Sequence, residues 1–110
     1  MDDKTIAEIL KFRDERNWKQ YHNPKDLAIS LSLEAAELLE NFQWSSSEEA
    51  LIKRRSRIKE ELADVLIYSV LFAEAVDLDL NEIIMEKLDI NNKKYPIEKA
   101  FGKKEKYTEL

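Results

Sequence analysis

Glu61-Leu62-Ala63-Asp64-Val65-Leu66-Ile67-Tyr68 sets two carboxylates three residues apart inside a run that is otherwise apolar. Residues at that spacing share one face of an α-helix, with a rise of roughly 4.5 Å between their Cα atoms. Asp64 is the only charged side chain between Glu61 and Glu74. Aspartate is a mediocre helix former and costs heavily when buried without a partner. Upstream, Glu34-Ala35-Ala36-Glu37 repeats the spacing, and Leu27, Leu31, Glu34 and Leu38 follow the 3-4 rhythm of a core-facing stripe. If the two helices pack with these faces together, four carboxylates converge and repel unless protons or cations neutralise them. Magnesium is the natural neutraliser, a hard cation that takes carboxylate oxygens, keeps several waters and completes its shell with substrate phosphates.

Working outward, the pattern predicts four helices. The first runs from about Asp3 or Thr5 to Asn17, and the break at Tyr21-His22-Asn23-Pro24 is followed by a helix with Asn23 as N-cap and Pro24 at its first position. That second helix reaches about Phe42. Ser46 with Glu49, and Asp79 with Glu82, have the form of capping boxes for two further helices. The third covers Glu48 to about Val76, with a bend or break near Arg54 to Arg57, and the fourth ends near Lys94, before Tyr95-Pro96. The second half of the third helix is apolar on nearly every side, which predicts self-association as a dimer or tetramer. The chain is read as one domain over residues 1–96 with a charged, extended tail over 97–110.

Composition fits an all-α fold with a bundle-like arrangement. One glycine and two prolines in 110 residues are too few turn-formers for an all-β protein. A net charge of −5 argues against a nucleic-acid polymer or an anionic membrane as partner, since both need a basic surface. The absence of cysteine fits a cytoplasmic protein. The longest apolar stretch, Val65 to Ala73, is too short to cross a bilayer.

Two other readings compete for the acids. They could form interhelical ion pairs with Arg54, Arg55, Arg57 or Lys59 in a non-catalytic helical interaction module. A di-iron bundle is the other, but that class uses Glu-x-x-His motifs, and the only histidine, His22, falls in a break between helices. Glu40 and Glu60 lie beside the pairs but off their stripes.

Glu-x-x-Glu on one helix and Glu-x-x-Asp on the next, together with Arg16-Asn17-Trp18-Lys19-Gln20-Tyr21-His22-Asn23-Pro24, Phe42-Gln43-Trp44, Lys87 to Asn91 and Lys94-Tyr95-Pro96, resemble the MazG-like all-α nucleoside triphosphate pyrophosphohydrolases. Within that superfamily the likeness is to the dCTP pyrophosphatase branch and covers about residues 5 to 96. It implies hydrolysis of a nucleoside triphosphate to the monophosphate and pyrophosphate, in nucleotide-pool house-cleaning with a lean to dCTP-like pyrimidines. The resemblance implies that Glu34, Glu37, Glu61 and Asp64 are the catalytic carboxylates and hold Mg²⁺, with Mn²⁺ as a substitute. One of the glutamates, or an acid beside them, orients the attacking water. Trp18, His22 and Trp44 match positions used around the nucleoside, Tyr68 reaches sugar or phosphate, and Lys87, Asn91, Lys94 and Tyr95 contact the triphosphate. Leu33 departs from the branch, which commonly has glycine before the first metal glutamate.

Overall fold

Residues 1–110 are described by a computed structural model in which all regular structure is helical. Its elements are α1 (Asp3–Glu15), α2 (Pro24–Glu40), α3 (Ser47–Lys53), α4 (Arg55–Ala75), α5 (Leu80–Lys94) and α6 (Ile97–Ala100), with 3-10 turns at Lys19–Tyr21 and Tyr107–Glu109. They form two compact units, Met1–Asp77 and Leu78–Leu110.

Capping chemistry sets most helix starts. Asp2 Oδ1 accepts from the Thr5 amide at 2.8 Å, Asn23 Oδ1 from Asp26 at 2.9 Å, Ser46 Oγ from Glu49 at 3.2 Å and Asp79 Oδ1 from Glu82 at 2.9 Å. Each bond satisfies one of the amides that a first helical turn leaves without an internal partner. The expected third helix is two, because Arg54 leaves the helical region at φ −126° and ψ 25° and serves as the end of α3 and the start of α4. The first helix stops at Glu15 rather than Asn17, whose φ of 54° lies in the left-handed region. The tail, expected to be extended, carries the single turn of α6 and the second 3-10 turn.

In the first unit α2 packs chiefly along α4, and α1 and α3 also lie against α4. Leu27, Ala50, Val70, Leu71 and Ala73 form the buried core. Asn41, at the end of α2 and 1% exposed, donates from Nδ2 to the carbonyls of Glu37 and Leu38, while Arg54 Nη1 donates to its backbone oxygen at 2.8 Å. This small network ties the exit of α2 to the α3–α4 junction. In the second unit no side chain of α5 or α6 is buried. Tyr107 packs edge-on against Tyr95, with ring centroids 6.0 Å apart, and Lys94 Nζ sits 4.9 Å over the same Tyr107 ring.

Candidate functional site

Packing of α2 on α4 turns the two acidic stripes toward each other. Carboxylate oxygens of Glu34, Glu61 and Asp64 all lie within 4.8 Å of one another, and each of the three residues is half-buried. Leu27 and Leu31 continue the Glu34 stripe inward, as Tyr68 and Leu71 continue that of Asp64. Glu37 is exposed and falls outside the tight group of three, yet its carboxyl is close enough to bear on both Glu34 and Glu61. Glu40 and Glu60 are exposed.

The electrostatics follow from this crowding. Burial, then the neighbouring carboxylates of Glu37, Asp64 and Glu61, push Glu34 up from 4.5 to about 7. Glu61 is raised by desolvation and by Glu37 and Asp64, with Arg57 pulling the other way. Glu34 Oε2 is buried and has no hydrogen-bond partner. The ion-pair alternative is not what the side chains do: the salt bridges are Arg13 to Asp14 at 2.8 Å and Lys53 to Glu49 at 3.3 Å, and neither involves the four acids. Three hard oxygen donors at short mutual range, one of them without a partner, suit a divalent cation such as magnesium.

Beside the acids lies a cavity of about 630 Å³, within the first unit, lined by Glu34 from α2, by Asp64 and Tyr68 from α4, by the inner face of α1, and by Trp18 and His22 after it. A pocket of this size takes a nucleoside-sized ligand. Trp18 meets Phe12 edge to face, with centroids 5.7 Å apart at 77°. His22 is half-buried with an unpartnered Nδ1, and burial, assisted by the Arg13 cation, holds its pKa below 6.5.

One residue of the first unit singled out in the sequence is not brought to this cavity. Trp44 does not line it; the residue is 94% exposed on a backbone with φ 61°. Lys87, Asn91, Lys94 and Tyr95 belong to the second unit, on the last two turns of α5 and its C-cap. Asn91 accepts the Tyr95 amide at 2.8 Å through its backbone oxygen. The residue that sequence reasoning missed is Arg13, which lines the cavity and is only 6% exposed. In sequence it sits among Asp14, Glu15 and Arg16 and looks like part of a solvated face. The only available signal was its place one residue after Phe12 and four after Ile9 on the apolar stripe.

Comparison with known proteins gives concordant matches. The profile of the MazG-like family matches residues 29–110. The chain is 40% identical over 105 residues to dCTP pyrophosphatase 1 of Mus musculus and to that of Homo sapiens, an overlap of 91% of this chain. It spans 62% of the length of those relatives. Among solved structures, a pyrophosphatase of Archaeoglobus fulgidus is similar at 42% identity and a TM-score of 0.80, over 86% of this chain and 91% of that one.

Proposed function

This chain belongs to the MazG-like family, and from that premise we propose that it hydrolyses (deoxy)nucleoside triphosphates to the monophosphate and pyrophosphate in a Mg²⁺-dependent reaction. The observation that carries this reading is the convergence of Glu34, Glu61 and Asp64 within 4.8 Å, at the wall of a nucleoside-sized cavity. A lean to dCTP is supported by the relatives named dCTP pyrophosphatase 1.

Glu34, Glu61 and Asp64 are the residues that would hold the ion, and the buried, unpartnered Glu34 Oε2 is the atom most in need of it. Bound magnesium offsets the charge of the triphosphate, polarises the reacting phosphoryl group and acidifies a coordinated water. Glu37, the exposed carboxylate beside the group of three, would join them on the ion or take the proton from the attacking water. Trp18 and His22 bound the space for the nucleoside, where an aromatic face stacks on a base, and Tyr68 reaches toward sugar or phosphate. Lys87, Asn91, Lys94 and Tyr95 serve the triphosphate through cation and hydrogen-bond contacts.

The working form is a homo-oligomer, a dimer or tetramer. Leu33 is 59% exposed, Leu39 70%, Leu62 48% and Leu66 46%, and a partner subunit would cover such a surface. Trp44, which does not line the cavity of its own chain, would serve a nucleoside held by a partner subunit. We place its work in the cytoplasm, a compartment that the absence of cysteine fits.

The test is a nucleotide panel with pyrophosphate detection, run with Mg²⁺, with Mn²⁺ and with EDTA. Release that needs the metal and falls by about 100-fold or more in a folded Asp64→Asn variant is the expected result. No release from any nucleotide with either metal overturns the proposal.

A further inference from the structure

Arg13 is the only charged residue in the protein that is buried, at 6% exposure, and nothing in the proposed reaction uses it. A guanidinium taken out of water keeps its place only where its donors find acceptors. The one hydrogen bond its side chain makes runs from Nε to Asp14 Oδ1 at 2.8 Å, and Asp14 itself is 57% exposed. That bond anchors one edge of the planar group and leaves both Nη amino groups without a protein acceptor. Arg13 lines the cavity, so a molecule bound there comes within reach of those donors.

The cavity has two chemically different walls. Glu34 and Asp64, from α2 and α4, form the acidic wall, where a metal-bound triphosphate belongs. Arg13 stands on the other, with Phe12 and Trp18 set edge to face beside it. Flat apolar walls with one anchored guanidinium suit a base edge better than a phosphate chain, which is drawn to the ion.

We propose that Arg13 is a specificity-determining residue whose Nη donors read the base edge, selecting cytosine over uracil and thymine. The discrimination follows from the edges. Cytosine offers adjacent acceptors at N3 and O2, which a guanidinium fork can bridge. Uracil and thymine carry a hydrogen on N3, so the fork would set donor against donor. A matched bidentate contact of this kind discriminates against the wrong base by about tenfold or more. His22, also on the cavity wall, keeps a second cation away from the fork, because burial and the Arg13 charge favour its neutral form.

This inference rests on the nucleotide reading of the site, so its test must not depend on turnover alone. Binding of dCMP and of dUMP would be measured by calorimetry on the full chain for wild type, Arg13→Met and Arg13→Lys, with circular dichroism to verify folding. Pyrophosphate release from dCTP and dUTP would be followed in parallel. Wild type is expected to favour dCMP and dCTP by about tenfold or more, and both variants to bring the two bases within about twofold of each other. Lysine keeps the charge but loses the fork, so it carries the test alone if the methionine variant does not fold. Equal loss for both bases, or a cytosine preference that survives in Arg13→Lys, overturns the assignment. A wild type that prefers dCMP over dUMP yet releases no pyrophosphate overturns the hydrolase proposal and leaves the role of Arg13 standing.

Discussion

Replacing Glu34 by glutamine keeps the shape of the side chain and removes the charge whose neighbours oppose it, so it separates what the carboxylate costs from what it does. In the folded chain Glu34 titrates at about 7, against an ordinary 4.5, chiefly because it is buried and then because Glu37, Asp64 and Glu61 crowd it. A raised acid pKa means that, between these two values, the folded state holds a proton that the unfolded state has released. Stability of the metal-free protein therefore falls as pH rises from about 4.5 to 7, and the loss is complete above that window. The shift corresponds to at most about 3.4 kcal/mol at roughly 1.4 kcal/mol per pKa unit, and because the site opens on a cavity, solvent screening brings this to about 1–2 kcal/mol. In EDTA at pH 8, Glu34→Gln should thus melt about 4–8 °C higher than wild type, and at pH 4 or below the two should coincide. Added Mg²⁺ at about ten times its dissociation constant should return roughly 1.4 kcal/mol to wild type and much less to the variant. Thermal melts by circular dichroism at several pH values, with EDTA and with Mg²⁺, read all three comparisons. A variant less stable than wild type at pH 8 in EDTA would refute the reasoning, since it would mean that protein contacts already satisfy the carboxylate.

The remaining expectations concern the carboxylate outside the tight group and the network behind it. Glu37→Gln should lower kcat by about 100-fold or more while leaving Mg²⁺ binding within a few-fold, as titration calorimetry would register; equal loss of both would make Glu37 a ligand instead. Arg54→Ala removes the 2.8 Å bond to the Asn41 backbone oxygen and should cost about 1–3 kcal/mol in a denaturant melt. An unchanged midpoint there would show that the α2 exit is not held by this contact.

What could be read from residues alone was what short-range chemistry determines. Asn23, Ser46 and Asp79 cap their helices as their side chains require, and the basic run near Arg54 marks the break between α3 and α4. The acidic stripes were legible for the same reason, because helical spacing places Glu34 with Leu27 and Leu31, and Asp64 with Tyr68 and Leu71. Spacing says which residues share a face but not how deeply the partner helix covers each end of it. The i,i+3 spacing puts Glu37 on the stripe of Glu34, and the two nonetheless differ in depth, Glu37 exposed and Glu34 half-buried. Arg13 was hidden by the opposite effect. Charged neighbours in sequence suggest a solvated face, whereas α1 packs this one arginine inside, on the wall of the cavity.

Trp44 and Glu34 break local rules in ways that point to the same cause. A tryptophan gains by burying its ring, and a bulky residue avoids positive φ, but Trp44 is 94% exposed with φ 61°. A carboxylate seeks water or donors, but Glu34 keeps Oε2 buried among other acids. Neither arrangement lowers the free energy of the single chain, so each implies a compensating interaction made in the working state. For Glu34 a proton relieves the crowding below about pH 7, and above that pH a cation is the chemistry that relieves all three carboxylates within 4.8 Å. For Trp44 it has to be a flat or apolar surface, which a base or a second copy of the chain supplies. The proposed nucleotide-metal complex held in an oligomer would meet both demands at once, whereas a helical module held by ion pairs would cover Trp44 with a second copy and leave the three carboxylates without the salt bridges it calls for.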